Sequence, residues 1–336
     1  MAFLSRPKIA VVGATGMVGR MFLNVLEERG IDAEYTLFAS ARSAGETLRF
    51  FGKDHDVLEL TEHAFENQGF SYALFSAGAA VSERFAPLAA ASGAIVIDNS
   101  SFWRMDPKVP LVVPEVNPEA LLSIPRGIVA NPNCSTIQAM LPLKALDDAF
   151  GLKRVIYSTY QAVSGAGQKG YQDLEDGLCG ALPKKFPHPI AGNCIPHIDT
   201  FLDSGYTKEE QKMIDESRKI LSRPDLRVTA TCVRVPVYHG HSESINVETE
   251  RPFELGNVFE IFRKTEGLIV CDDPKNNVYP MPIDAAGTDS VYVGRIRRDF
   301  SVDNGLNFWC VADNIRKGAA TNAVQILEKL LGRKEA

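Results

Sequence analysis

The chain has 336 residues, about twice the length of an ordinary single domain, which points to two domains, each able to bury a core without disulfide or metal staples. Hydrophobic residues make up 45% and charged residues 23%, a balance that leaves no room for a large disordered region. A net charge of -6 with no cluster of Lys and Arg argues against a nucleic-acid footprint or a membrane-surface patch, so the expected partner is a small molecule. The opening MAFLSRPKIAVVGATGMVG passes from a short polar lead into a strand without the marks of an export signal, and no apolar run reaches the roughly eighteen residues of a membrane span. A cytoplasmic location is expected.

In chain order, KIAVVGA reads as a short buried strand ending in glycine, and TGMVGRMFLNVLEERG as a helix closed by Gly30. EYTLFAS, YALFSAG, AIVIDNS and GIVANPN follow as strands, with helical segments such as SERFAPLAAASG between some of them. Strands that are apolar on both faces and alternate with helices predict a parallel, doubly wound α/β sheet of Rossmann type. After Phe150 the pattern changes: KRVIYSTYQAV, RVTATCVRVPVYHG, SINVETE and SVYVGRIRRDF alternate polar with apolar residues, as half-exposed antiparallel strands do. These predict a second, α+β domain on a mixed, largely antiparallel sheet. GLCGALPKKFPHPIAGNCIPHID, punctuated by Pro and Gly, reads as an excursion, and a final helix from about Asn314 returns to the first domain. The expected division is residues 1–133 with 314–336, and 134–313.

VVGATGMVG places Gly13, Gly16 and Gly19 where the first strand turns into the first helix. Glycines there let the backbone approach a pyrophosphate held by the helix amides, so Gly13, Thr15, Gly16, Met17, Val18 and Gly19 are the expected cofactor contacts. A plain tight turn is the bland alternative. FASARSAG follows the second strand without an acidic residue for a ribose hydroxyl; Arg42 and Ser43 suit the extra phosphate of NADP instead, or form a solvated loop.

The six cysteines never approach C-x-x-C spacing and are expected to be reduced. Cys134, between Asn-Pro-Asn and STIQAM, falls at a helix start, where unpaired amides and the helix dipole favour a thiolate. It is either a nucleophile or a small apolar filler; the other five read as filler. STYQAVSGAGQKGY brings glycines and serines after a strand, where backbone can pass close to a ligand. VYHGHSESINVE offers His239 and His241, and spacing alone does not choose between them as the base for a thiol. No further ligands at matched spacing accompany this pair, so no metal is expected.

Taken together, GATGMVG, ARSAG, DNSSFWRMD, LVVPEVNP, NPNCSTIQ, QAVSGAGQKG, ESRKIL and TCVRVPVYHGHSE resemble the aspartate-semialdehyde dehydrogenases, in family order over nearly the whole chain. The resemblance implies reversible NADPH-dependent reduction of L-aspartyl 4-phosphate to L-aspartate 4-semialdehyde with release of phosphate, in the biosynthesis of lysine, threonine and methionine. It implies Cys134 as the nucleophile that forms an acyl-thioester, His241 as acid/base, and Gln161 as the side chain that orients the substrate. Arg234 would clamp the substrate carboxylate, Glu216 would meet its ammonium, and Lys219 and Arg104 would hold the phosphoryl group. Ser164, Gly165 and Asn322 would face the nicotinamide end of NADP. A homodimer or homotetramer is implied, with the open face of the second sheet as the place for the contact. The rival readings are a reductase acting on N-acetylglutamyl phosphate or glyceraldehyde-3-phosphate, and an inactive paralogue that binds without turnover. By residue type alone, Glu216 and Lys219 would form a solvent-exposed ion pair and Arg104 and Arg234 would be surface charges.

Overall fold

The computed structural model describes residues 6–332, so the polar lead and the last four residues lie outside the described residues. The described residues form two compact units, residues 6–132 with 319–332, and residues 133–318. The first unit begins with β1 (Lys8–Val12), α1 (Met17–Glu28) and β2 (Glu34–Ala39). It continues through β3 (Thr47–Phe50), β4 (Lys53–Glu59), β5 (Tyr72–Phe75), α2 (Ala79–Ala91), β6 (Ile95–Asp98) and β7 (Ile128–Ala130). Its seven strands lie in the order β3-β4-β2-β1-β5-β6-β7, all parallel except the β3/β4 hairpin. This is the doubly wound sheet expected from the alternating apolar runs.

The hairpin was not expected. Phe51 and Gly52 both carry positive φ (48° and 67°), the two-residue turn geometry that joins twisted antiparallel strands. Asn-Gly or Asp-Gly would have announced it; Phe-Gly does not.

The second unit contains α3 (Cys134–Phe150), β8 (Leu152–Gln161), α4 (Gln168–Leu178), α5 (Lys208–Ile220), β9 (Arg227–Arg234) and β10 (His241–Thr249). It ends with α6 (Leu255–Lys264), β11 (Leu268–Val270), α7 (Pro282–Ala285), β12 (Val291–Asp299) and β13 (Gly305–Ala312). The sheet order is β11-β12-β13-β10-β8-β9. The three central pairings are antiparallel, but β8/β9 and β11/β12 are parallel, which their alternating polarity did not reveal. The β8/β9 pair is parallel because α4, the excursion and α5 intervene, leaving ample chain for a crossover. The apolar positions of α3, such as Ile137, Met140, Leu141 and Leu146, are buried on nearly every side, and the helix packs on β8, β10 and β13.

A π-helical turn, Arg316–Thr321, leads into α8 (Asn322–Leu330), which belongs to the first unit and packs with α1. Val324 and Leu327 of α8 share a core with Phe22, Val25 and Leu26 of α1 and with Val11, Leu37, Leu74 and Ile97 of the sheet. No helix among the described residues is long and apolar enough to cross a membrane.

Sheet order reverses direction at β1, whose neighbours are β2 and β5, so a crevice opens at its carboxyl end. Gly13 lies there at φ +84°, and a Cβ on it would sit 2.4 Å from the Ser76 carbonyl oxygen. Both strain and collision forbid a side chain, so Gly13→Ala is expected to cost about 2 kcal/mol or more of unfolding free energy. Urea denaturation checks this against Gly45→Ala, also at positive φ but with open space around it.

Candidate active site

In the first unit, Gly16 is the N-cap of α1 with no side-chain cap and no acidic residue in the first turn, so the helix amides stay available to an anion. Gly19 packs directly on the turn, where a Cβ would lie 2.0 Å from the Gly13 carbonyl oxygen. Thr15, Met17 and Val18 complete the turn and are half-buried. Arg42 and Ser43 follow β2, the parallel neighbour of β1, with Arg42 exposed. The turn is therefore a cradle that only glycine permits, and the residues present fit a dinucleotide pyrophosphate.

Arg104 is buried rather than a surface charge; its Nε donates to the Asn131 carbonyl at 3.0 Å and its Nη2 to that of Asn99 at 3.0 Å. Asn322 is fully buried and donates to the Val112 carbonyl (3.0 Å) and to Asn131 Oδ1 (2.7 Å). Those two bonds use both of its amide hydrogens. As an amide donor it therefore helps hold the first unit together.

In the second unit, Cys134 is the first residue of α3 and is half-buried. Asn133 caps that helix, its Oδ1 accepting from the amides of Ser135 (3.0 Å) and Thr136 (3.3 Å). Its Nδ2 donates to Glu209 Oε1 at 2.8 Å and its backbone amide to Glu216 Oε2 at 2.7 Å. A Cβ on Gly318 would lie 3.0 Å from that of Cys134, so the glycine lets the π-helical turn close over the helix start.

Glu209 gathers the polar groups around this start. It also accepts from Gln161 Nε2 (3.3 Å) and pairs with Lys212 (3.1 Å). Burial alone would raise its carboxyl, but the Lys212 charge, the Asn133 amide and the Arg234 charge outweigh burial and hold it below the ordinary range. Neither Asn133 nor Glu209 was singled out in the sequence. The capping motif Thr207-x-x-Glu210 would have marked α5, but nothing local marks Glu209 as inward-facing.

Arg234, at the end of β9, is buried, with Nη1 donating to the Ala162 carbonyl at 2.5 Å. Burial lowers it from its ordinary value, opposed by Glu209 and Cys134, which places the sulfur within its electrostatic reach. His241 is fully buried at the start of β10; its Nδ1 accepts from the Ala162 amide at 3.0 Å and its Nε2 has no hydrogen-bond partner. A neutral ring held this way carries its proton on Nε2. Burial first, then the like charge of Arg234, hold it well below the ordinary imidazole value. Gly165 faces both: a Cβ there would lie 2.9 Å from Arg234 Nη1 and 3.1 Å from His241 Nε2. Ser164 is tied to Asn314 at 3.1 Å. His239 lies in the preceding turn, its ring 5.7 Å from Tyr171.

Glu216 is buried and so does not lie on a solvent-exposed helix face; Lys219, one turn on, is half-buried. Among the other cysteines, Cys232 and Cys310 are buried with thiols pushed up chiefly by burial, whereas Cys179 and Cys194 are exposed and correct the expectation of apolar filler.

Two family models match the chain: semialdehyde dehydrogenase, NAD binding domain, over residues 8–124, and semialdehyde dehydrogenase, dimerisation domain, over residues 143–317. An aspartate-semialdehyde dehydrogenase of Aquifex aeolicus is 55% identical, over 96% of this chain and 98% of that one. The crystal structure of aspartate semialdehyde dehydrogenase II of Vibrio cholerae complexed with ASA superposes with a TM-score of 0.94 at 47% identity, covering 98% of this chain and 99% of that one. The enzyme of Candida albicans with NADP gives a TM-score of 0.78 at 27% identity, covering 97% and 99%.

Glu243, two residues beyond His241 on β10, is wholly buried and neither of its oxygens has a hydrogen-bond partner. Burial first, then the negative charge of Glu209, push its carboxyl well above the ordinary 4.5. The folded chain keeps a proton there that the unfolded chain releases. The stability linked to this proton is complete below the unfolded value and is lost as pH rises toward and through the raised folded value, at about 1.4 kcal/mol per pH unit. Glu243→Gln keeps the group neutral, so the stability difference, variant minus wild type, is expected to grow with pH from 5 to 8. Urea unfolding at each pH measures it; a difference that stays flat would mean the carboxylate is ionised in the fold.

Proposed function

The chain belongs to the semialdehyde dehydrogenases, and from that membership we propose that it catalyses the reversible, NADP-dependent conversion of L-aspartyl 4-phosphate to L-aspartate 4-semialdehyde and phosphate. One observation carries the reading: a half-buried cysteine opens a buried, side-chain-capped helix within electrostatic reach of a buried arginine. The positive end of the helix dipole and the guanidinium both favour a thiolate.

The Cys134 sulfur attacks the acyl carbon, the carbon–oxygen bond to the phosphoryl group breaks, and phosphate departs with the electron pair, leaving a thioester. When bound, the nicotinamide would supply the hydride that takes this carbon to the aldehyde level; the carbon–sulfur bond then breaks, Cys134 leaves with the electron pair as thiolate, and the aldehyde is released. His241 holds a proton on Nε2, the atom that faces the Gly165 backbone, and passes it to or takes it from the substrate oxygen. Gln161, anchored through Glu209, orients the substrate beside the sulfur. Arg234 binds the carboxylate with a planar donor pair, and Glu216 meets the ammonium. Lys219 serves the phosphoryl group, the role that Arg104 also carries. Ser164 and Gly165 stay with the nicotinamide end.

Preference for NADP is supported by Arg42 and Ser43 after β2, where no acidic residue stands. For assembly into a dimer or tetramer, the outward face of the second sheet is the proposed contact: Tyr160 and Trp309, rings 5.4 Å apart, lie there with Ser244 paired to Ser158. Nothing in the site favours the N-acetylglutamyl phosphate reading or an inactive paralogue.

Reduction of NADP by aspartate semialdehyde should require phosphate, and omitting it tests the acyl-phosphate chemistry. Cys134→Ala is expected to lower kcat by about a thousandfold or more while NADP binding, followed by fluorescence titration, is nearly unchanged. Arg42→Glu should weaken NADP at least about tenfold more than NAD, as read from the two KM values. Equal losses would remove the phosphate contact from Arg42.

A further inference from the structure

The excursion between α4 and α5, for which the reaction has so far given no use, is built against the strand that carries Arg234. Ile195 bridges to Arg234 in both directions, its amide donating to the Arg234 carbonyl at 2.9 Å and its carbonyl accepting from the Arg234 amide at 2.8 Å. Earlier in the same segment Phe186 is half-buried, and the Arg234 guanidinium carbon lies 5.9 Å from the centre of its ring. The ring packs with Val163, Leu174, Ile190 and Ile195, and its tip reaches Gly170, where a Cβ would come within 3.1 Å of Phe186 Cζ.

The position of Phe186 is set by one carboxylate. Asp173 of α4 is 5% exposed and accepts three consecutive backbone amides: Lys184 (2.9 Å to Oδ1), Lys185 (2.7 Å to Oδ2) and Phe186 (2.9 Å to Oδ2). Three charge-assisted bonds to successive residues fix the backbone there as a rigid turn. A buried anion is costly unless it is hydrogen-bonded, and these three amides offset that cost while fixing the loop to α4. What the loop places is an aromatic face against a buried cation.

We propose that Phe186 is a positioning residue for substrate binding: held by Asp173, its ring together with the Gly165 backbone confines the Arg234 guanidinium, so that the fork presents a fixed plane to a substrate carboxylate. The inference rests on the reading of Arg234 as the carboxylate clamp. Phe186 touches no reacting atom and acts through the arginine. The effect belongs to substrates bearing that carboxylate and leaves the thiol chemistry alone.

Phe186→Leu keeps an apolar side chain and removes the ring face. With aspartate semialdehyde, phosphate and NADP, the KM for the aldehyde is expected to rise about fivefold with kcat and the KM for NADP unchanged, and Phe186→Tyr to restore the wild-type value. Asp173→Asn should shift the same KM in the same direction. Should Phe186→Leu fail to fold, Phe186→Met carries the same expectation. Arg234→Lys separates the two levels. An aldehyde KM raised by Arg234→Lys but unmoved by Phe186→Leu overturns the positioning role alone. An aldehyde KM unmoved by Arg234→Lys overturns the clamp itself. Equal losses of kcat, both KM values and melting temperature in Phe186→Leu, without rescue by Tyr, would make the ring a packing element only and overturn the proposal.

Discussion

The second unit depends on how the first turn of α3 is held. Asn133 uses every polar group of its side chain and its backbone amide for this: Oδ1 on the amides of Ser135 and Thr136, Nδ2 on Glu209, and the main-chain N–H on Glu216. A side-chain cap is worth about 1 kcal/mol in stability, but position matters more here than energy. The cap locks residue 133 in extended geometry and starts the helix at residue 134, so Cys134 stands at the positive end of the helix dipole. The two carboxylates that brace Asn133 both come from α5. The position of the proposed nucleophile is thus set by a helix some 75 residues further on in the chain, and the same helix supplies the groups proposed to bind substrate.

Charge in this region is arranged by burial and pairing together. Glu209 is ionised because Lys212, Asn133 and Arg234 compensate its burial, while Glu243, equally buried but without hydrogen-bond partners, keeps its proton. Two carboxyl groups of the same chemistry end in opposite states because one has donors around it and the other has none. The ionised one fixes Gln161 by accepting from its Nε2, which turns the carboxamide oxygen away from Glu209.

Much of this was legible in the sequence, for identifiable reasons. Short apolar runs ending in glycine give the parallel strands; the glycines at 13 and 19 are forced by backbone contact; and Asn-Pro-Asn-Cys marks a helix start that the structure places at Cys134. What stayed hidden is held by contacts distant in sequence. Glu209 reads as one of several charges on a polar helix until the fold shows its inward side. Asp173 reads as a solvated helix residue, and its bonds to residues 184–186 depend on a loop without periodicity. The β3/β4 hairpin lacked its usual turn residues, and the parallel pairing of β8 with β9 leaves no mark in alternation, which records only which face is buried. His239 and His241 could not be separated by spacing, because one residue decides whether a histidine ends in the turn or opens β10.

The histidine's surroundings also bear on how the proposed thiolate would be maintained. In cysteine–histidine pairs that rest as thiolate and imidazolium, the ring must accept a second proton. Here the Ala162 amide already donates to Nδ1, so an imidazolium would set a ring N–H against a backbone N–H, inside a buried site beside the positive charge of Arg234. All three effects favour the neutral ring. In the proposed mechanism a charge on the sulfur is then supported by the groups that remain, the dipole of α3 and the Arg234 guanidinium. Under that division of labour the histidine is free to hold its proton on Nε2 for the substrate oxygen, and the arginine that steadies the sulfur is the same one proposed to receive the carboxylate. A residue with both duties has little freedom to move, and this region encloses it on several sides: the Ala162 carbonyl accepts from it, Ile195 binds its backbone, and Gly165 and Phe186 lie against its guanidinium.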